Sequence, residues 1–108
     1  MGIKAGDEVI LPGFTCIVVP NAITYIGAKP VYVDISPKTF NMDVSKLEEL
    51  FTSCSSRLNS PKAIIAQHTF GIPAEIEKIL EIAKKYNLYV IEDSCHTIGS
   101  EFNGKEVG

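Results

Sequence analysis

The chain has 108 residues, 45% of them hydrophobic and 21% charged, which is typical of a single soluble globular domain. The formal net charge is −3 and the lysines are scattered, which argues against a nucleic-acid-binding surface. The apolar runs are far too short to span a bilayer, and the N-terminus has no signal-peptide pattern, so we expect a cytoplasmic protein.

The first half of the chain alternates short apolar runs with helical periodicity. The predicted elements are a strand at 9–11 that stops at Pro12 and Gly13, a helix from Val18 to about Tyr25, a strand at 31–35, and a helix with Val44, Leu47, Leu50 and Phe51 on one face. The first helix begins near Val18 because Pro20 is tolerated only in the first turn. Asp43 or Ser45 caps the second helix.

The second half repeats this alternation after a serine-rich loop at 52–60. The predicted elements are a strand at 63–66 that ends at Gln67 and His68, a helix that begins at Pro73, and a strand at 88–91 that runs into Glu92 and Asp93. The helix is amphipathic, with Ile76, Ile79, Leu80 and Ala83 predicted inward and Glu75, Glu77, Lys78, Lys84 and Lys85 outward. Asn87 is its predicted C-cap.

This order of elements predicts an α/β fold with a mainly parallel sheet and flanking helices. Right-handed crossovers place the C-terminal ends of all the strands along one edge, where open α/β sheets bind their ligands. The residues predicted at that edge are 12–16, Asp34, Gln67 with His68, and 93–96. We therefore expect a ligand site there.

Asp93 is the most informative polar residue because it follows an apolar strand. A carboxylate that loses hydration in this way needs a partner. One interpretation is that Asp93 caps the turn that begins at Ser94. The other is a hydrogen-bonded ion pair with a cationic nitrogen of a ligand, worth about 1.5–3 kcal/mol.

The histidines and cysteines give weaker signals. His68 and His96 follow neighbouring strands, which favours a role at the site without deciding it. Cys95 and His96 do not form a nucleophilic pair, because adjacent side chains diverge and no third residue orients them. The three cysteines are Cys16, Cys54 and Cys95, and their spacing predicts neither a zinc site nor a disulfide framework. Glycine-rich nucleotide-binding fingerprints are absent.

Four segments resemble motifs of the DegT/DnrJ/EryC/StrS family of pyridoxal-phosphate (PLP) sugar aminotransferases. Residues 6–15 (GDEVILPGFT) resemble the family's GDEVI-P-x-F-T signature, and residues 21–23 and 27–35 continue the match. Residues 68–74 (HTFGIPA) resemble its H-x-x-G-x-P-A loop, and residues 90–96 (VIEDSCH) resemble its V-I-E-D segment. The resemblance covers nearly the whole chain and extends into the tail at 102–108.

The resemblance implies PLP fold type I, the cofactor pyridoxal 5'-phosphate, and a homodimer. By position, Asp93 would pair with the protonated pyridine nitrogen and His96 would approach the phenolic oxygen of the cofactor. Thr15 and Cys16 would lie over its ring, where many relatives have a stacking aromatic residue in place of Cys16. His68 would line the same pocket. No metal site is implied.

The resemblance also implies that residues 1–108 form a partial large domain. The family's phosphate-holding loop would precede them, and its Schiff-base lysine would follow them, so we expect no catalytic lysine here and no activity from the isolated chain. The parent would transfer an amino group, commonly from glutamate, to a nucleotide-linked keto sugar. The alternatives are a sugar dehydratase of the same family, in which a histidine replaces the lysine, and a non-catalytic remnant.

Overall fold

The structure is a computed structural model that describes residues 1–53 and 58–107. The elements in chain order are β1 (Glu8–Pro12), α1 (Val18–Tyr25), β2 (Lys29–Val33), α2 (Val44–Thr52), β3 (Pro61–Gln67), a 3-10 turn (Thr69–Gly71), α3 (Ile76–Lys85), β4 (Tyr89–Asp93), β5 (Glu101–Phe102) and β6 (Lys105–Glu106). Cys54, the other residues of the serine-rich loop from 55 to 57, and Gly108 lie outside the described residues.

The predicted α/β fold with a mainly parallel sheet is confirmed. The main sheet has the strand order β2-β1-β3-β4, and each neighbouring pair is parallel. β5 and β6 form a separate antiparallel pair. The parallel strands place their C-terminal ends on one edge, and in the register of β3 with β4 the last residues, Gln67 and Asp93, lie side by side.

The helices cover the two faces of the sheet unequally. On one face, α2 and α3 pack on Ile10 and Ile64 in the larger core cluster. On the other face, Val9, Leu11 and Ile65 meet Ile23 of α1 in a smaller cluster. An apolar groove of about 690 Å³ runs beside α1 on this second face and reaches Asp93. Among the described helices, none is long and apolar enough to cross a membrane.

Most of the predicted helix ends are confirmed. α1 begins at Val18. Asp43, and not Ser45, caps α2: its Oδ1 accepts hydrogen bonds from the backbone N–H of Ser45 at 2.8 Å and of Lys46 at 3.4 Å. Asn87 follows α3 in the left-handed conformation at φ 54°, which closes the helix by the common glycine-like C-terminal motif.

The predicted second strand was wrong at both ends. β2 runs from Lys29 to Val33, and Ile35 makes only an isolated antiparallel bridge with Met42. Pro30 is accommodated because β2 is an edge strand in which a missing N–H need not break the ladder. The chain then turns away from the sheet to reach α2.

The third helix begins at Ile76, three residues after the predicted start at Pro73. Its inward face was also partly wrong, since Leu80 is 50% exposed while Ile82 is buried. The buried stripe is Ile79, Ile82 and Ala83, which follows the i, i+3, i+4 spacing of one helix face. Leu80 comes one residue after Ile79, about 100° around the helix, and so lies beside the stripe.

Candidate functional site

Asp93 is the last residue of β4 and is partly buried at the ligand edge of the sheet. Its Oδ1 accepts a hydrogen bond from the backbone N–H of Cys95 at 3.2 Å, so the carboxylate does cap the following turn. Within the described residues it makes no salt bridge with a lysine, arginine or histidine. The turn therefore uses one oxygen of Asp93 and leaves its charge without a cationic partner in this part of the chain.

A small cavity of about 210 Å³ lies beside Asp93 and brings most of the predicted site together. Its lining residues are Cys16, Val18, Val19, Gln67, His68, Asp93, Cys95 and His96. Four of the five predicted site residues are among them, and they come from the ends of β3 and β4 and from the loop between β1 and α1. This clustering follows from the parallel sheet, which gathers residues far apart in sequence at one edge.

Thr15, the fifth predicted site residue, is connected to this cavity through Gln67. The Thr15 hydroxyl donates to Oε1 of Gln67 at 2.5 Å, and Nε2 of Gln67 donates to Oγ1 of Thr69 at 3.1 Å. Gln67 is buried and adjoins Asp93 in the sheet. Gln67 was expected only to lie at the ligand edge, although its position at the end of a predicted strand was a signal for a role in the site.

His68 is buried and both of its ring nitrogens are occupied by protein partners. Its Nδ1 accepts a hydrogen bond from the backbone N–H of Ala74 at 2.9 Å, and its Nε2 lies 2.8 Å from Oε1 of Glu92. The imidazole can therefore form part of the cavity wall, but it has no free nitrogen to offer a ligand. Glu92 and Asp93 alternate along β4, so their side chains leave the strand on opposite faces.

His96 lies at the mouth of the cavity beside exposed aromatic rings. Its ring is stacked on Phe70, with centroids 6.5 Å apart and an interplanar angle of 11°. Phe70 also meets Phe14 and Phe40 at centroid distances of 6.0 and 6.1 Å. Phe40 and Phe70 both have positive φ, at 61° and 56°. Such strained backbone persists only where its surroundings enforce it, and it is common at functional sites.

The close approach of two loops holds His96 in place. Gly71 has φ +79°, and a Cβ added there would lie 2.8 Å from the carbonyl oxygen of His96. The Ser100 hydroxyl donates to the carbonyl of Gly71 at 2.8 Å. The loop that carries Phe70 and the turn that carries His96 are thus fitted together, and only glycine satisfies both the conformation and the space.

The cysteines at the cavity are not arranged as nucleophiles. Cys16 and Cys95 are both free and exposed. A hydrogen bond to Asp93 and the negative charge of that carboxylate raise the pKa of the Cys95 thiol, and the loss of some surrounding solvent adds to the effect. A thiol with a raised pKa stays protonated at neutral pH and reacts slowly. Across residues 1–53 and 58–107, no group of three or more histidine, cysteine or acidic side chains is placed to hold a metal ion.

One polar atom beside Asp93 lacks a partner. The hydroxyl oxygen of Ser94 is buried and has no hydrogen bond within the described part of the chain. Buried hydroxyls nearly always have a hydrogen-bond partner, so a ligand or further protein is expected at this atom.

The cavity beside Asp93 is small. Its volume of about 210 Å³ is below the roughly 300–1,000 Å³ of ordinary ligand sites.

Comparison with known proteins gives the family. The chain is 45% identical over 108 residues to the GDP-perosamine synthase of Caulobacter vibrioides, covering 100% of this chain and 28% of that protein. DesV of S. venezuelae, solved with a ketimine intermediate, superposes with a TM-score of 0.87 at 30% identity, covering 99% of this chain and 27% of DesV. An E. coli GDP-4-keto-6-deoxy-D-mannose-3-dehydratase with bound hydrated PLP superposes with a TM-score of 0.84 at 30% identity, covering 98% of this chain and 26% of that one.

The chain thus spans about 28% of the length of the curated relative to which it is similar. The sequence profile of the DegT/DnrJ/EryC1/StrS aminotransferase family matches residues 1–108. This agrees with the motifs at 6–15, 68–74 and 90–96, which lie in β1 with the loop that follows it, in the loop after β3, and in β4 with its turn. The chain belongs to the DegT/DnrJ/EryC1/StrS aminotransferase family.

Proposed function

We propose that the protein uses pyridoxal 5'-phosphate to transfer an amino group to a keto sugar linked to a nucleotide. The observation that carries this proposal is Asp93, a partly buried carboxylate at the ligand edge with no salt bridge to a described residue. A pyridine nitrogen that carries a proton is the kind of cation such a carboxylate stabilises. The PLP bound to the similar E. coli dehydratase supports the same cofactor.

The residues at the cavity fit this cofactor. Asp93 supplies the negative charge on the cavity wall. Cys16 lies on the cavity wall, where a polarisable sulfur can pack against an aromatic ring. His96 lies at the cavity mouth with both ring nitrogens outside any described hydrogen bond, and can donate to a phenolic oxygen. When bound, the cofactor supplies an electron-withdrawing ring.

Each side chain of the candidate site then has a defined role. Asp93 would hold a proton on the pyridine nitrogen, and Gln67 would position Thr15, whose hydroxyl donates to it. His96 orients the other side of the ring. His68 forms part of the wall, through contacts other than hydrogen bonds from its nitrogens. The Asp93 assignment is the one on which the chemistry depends, because its charge keeps the ring able to accept electrons.

The same comparison supports a proposal for the substrate. The relative from Caulobacter is a GDP-perosamine synthase, and the E. coli structure is a dehydratase of a GDP-linked keto sugar. A nucleotide-linked keto sugar as acceptor and glutamate as amino donor are consistent with both. We expect a cytoplasmic homodimer, in which the apolar groove beside α1 and the exposed ring of Phe70 are covered by the rest of the protein.

A sugar 3-dehydratase is the second candidate, because the E. coli dehydratase superposes almost as well as DesV. Both reactions require the same carboxylate on the pyridine nitrogen, so Asp93 does not separate them. The products do separate them. A transaminase yields an amino sugar and converts glutamate to its keto acid, whereas a dehydratase yields a deoxy sugar.

The test uses the full-length protein, incubated with PLP, glutamate and GDP- or UDP-linked 4-keto sugars. Mass spectrometry then follows the nucleotide sugar. We expect an amino-sugar product that appears in proportion to the glutamate consumed. A deoxy-keto product would establish the dehydratase, and a protein that binds no PLP would contradict both candidates.

A further inference from the structure

The hydrogen bonds of His68 fix which of its ring nitrogens carries a proton. The backbone N–H of Ala74 lies 2.9 Å from Nδ1, and a backbone amide only donates, so Nδ1 must present its lone pair. The proton of the neutral ring is then on Nε2, which lies 2.8 Å from Oε1 of Glu92. The contact between His68 and Glu92 is consequently a hydrogen bond from a neutral imidazole to an acceptor, although a protonated ring would make it an ion pair.

His68 connects the parts of the chain that carry the proposed site. Its backbone N–H donates to the carbonyl of Asp93 at 3.2 Å, and its ring holds Glu92, so two bonds fix the end of β4. Through Nδ1 the same ring holds Ala74, at the end of the loop that contains Phe70. That loop packs against the turn of His96 at Gly71.

We propose that His68 is a positioning residue: a buried, neutral imidazole with its proton on Nε2 that fixes Asp93 relative to the loop at 69–74. This role rests on the proposed function, but the state of the ring does not depend on it. The side chain is fully buried, so water does not compete for either nitrogen. Glu92 serves here as a hydrogen-bond acceptor, and its charge is not required.

The first experiment reads the ring directly. The full-length protein is labelled with ¹⁵N-histidine, and the His68 signals are assigned by their loss in His68→Asn. At neutral pH we expect Nε2 to show the shift of a protonated nitrogen and Nδ1 that of an unprotonated one, with or without PLP. Two protonated nitrogens, or a proton on Nδ1, would overturn the proposal. This result is independent of PLP binding, so it stands apart from the proposed function.

The second experiment separates positioning from simple destabilisation. Glu92→Gln keeps an acceptor oxygen for Nε2–H and should retain kcat within about twofold, whereas Glu92→Ala loses it and should lower kcat about tenfold with KM little changed. Val44→Ala is the control, because Val44 is buried in α2 away from the cavity and its loss lowers stability without touching the site. A Glu92→Gln enzyme as impaired as Glu92→Ala, or a Glu92→Ala enzyme with normal kcat, would contradict the proposal.

Discussion

Replacing Asp93 by asparagine isolates the charge of this side chain. Asparagine has nearly the same size as aspartate, and its side-chain oxygen can still accept the hydrogen bond that the Cys95 backbone N–H gives to Asp93 at 3.2 Å. The turn after β4 should therefore keep its shape. The variant removes only the negative charge, which has no salt-bridge partner within the described residues.

Asp93→Asn should lower the rate of the reaction strongly and change the stability of the fold little. A hydrogen bond to a charged group contributes about 1.5–3 kcal/mol, against about 1 kcal/mol for a neutral one. Replacing a charge-assisted contact of about 3 kcal/mol by a neutral one of about 1 kcal/mol slows the reaction roughly thirtyfold, and losing the contact altogether slows it roughly a hundredfold. The stability of the protein should change little, because no described ion pair is broken. Cofactor affinity should fall less than kcat, since the contacts of its other groups remain.

Glu92→Gln is the matched control. It makes the same chemical change one residue earlier, on the opposite face of β4, where the side chain bonds to Nε2 of His68 at 2.8 Å. Kinetics of both variants in the full-length protein, with kcat and KM measured separately, decide the assignment. An Asp93→Asn enzyme with near-normal turnover would refute it, as would a Glu92→Gln enzyme that is the slower of the two.

Three further predictions concern the surroundings of the site and the fold. Asp93 raises the pKa of the Cys95 thiol, so Asp93→Asn should lower that pKa towards its ordinary value of 9.0. Alkylation of Cys95 at pH 8, measured by peptide mass spectrometry, should then become faster, and an unchanged rate would contradict this prediction. Asp43→Ala should cost about 1 kcal/mol in the free energy of unfolding measured with urea. The hydroxyl and backbone N–H of Ser45 lower the pKa of Asp43 in the folded protein. The Asp43 carboxylate therefore contributes its full stabilisation above the unfolded pKa of 3.8, and this stabilisation is lost as the pH falls through the lower folded pKa. An equal cost of Asp43→Ala at pH 2 and pH 7 would argue against this prediction. Gly71→Ala should lower the melting temperature more than Gly99→Ala. Both glycines have positive φ, but only at Gly71 would the added Cβ lie 2.8 Å from a backbone oxygen, that of His96. Equal decreases in melting temperature would contradict this prediction.

The sequence was sufficient to predict four parallel strands and the edge of the sheet at which the candidate site residues meet. Apolar runs set the core of all four parallel strands, and the ligand edge followed from their direction, so that Asp93, His96, Cys16 and His68 were expected near one another. These predictions depend on periodicity and on strand direction, which the sequence carries locally.

The sequence was insufficient where contacts between distant parts of the chain determine which side chains are buried and which hydrogen bonds form. The exposure of Leu80 depends on which face of α3 meets the sheet, and neighbouring apolar residues make that choice ambiguous in the sequence. The role of His68 depends on Glu92, 24 residues away, and on Ala74 across a loop. The proximity of His68 to Asp93 was predictable from the sequence, but the hydrogen bonds that occupy both of its ring nitrogens were not.

The proposed function depends most on the contact between Asp93 and the pyridine nitrogen of PLP. The most direct measurement is the ¹⁵N chemical shift of that nitrogen, recorded with labelled PLP bound to the full-length protein and to its Asp93→Asn variant. We expect the shift of a protonated ring nitrogen in the native protein and of an unprotonated one in the variant. The same shift in both proteins would contradict it.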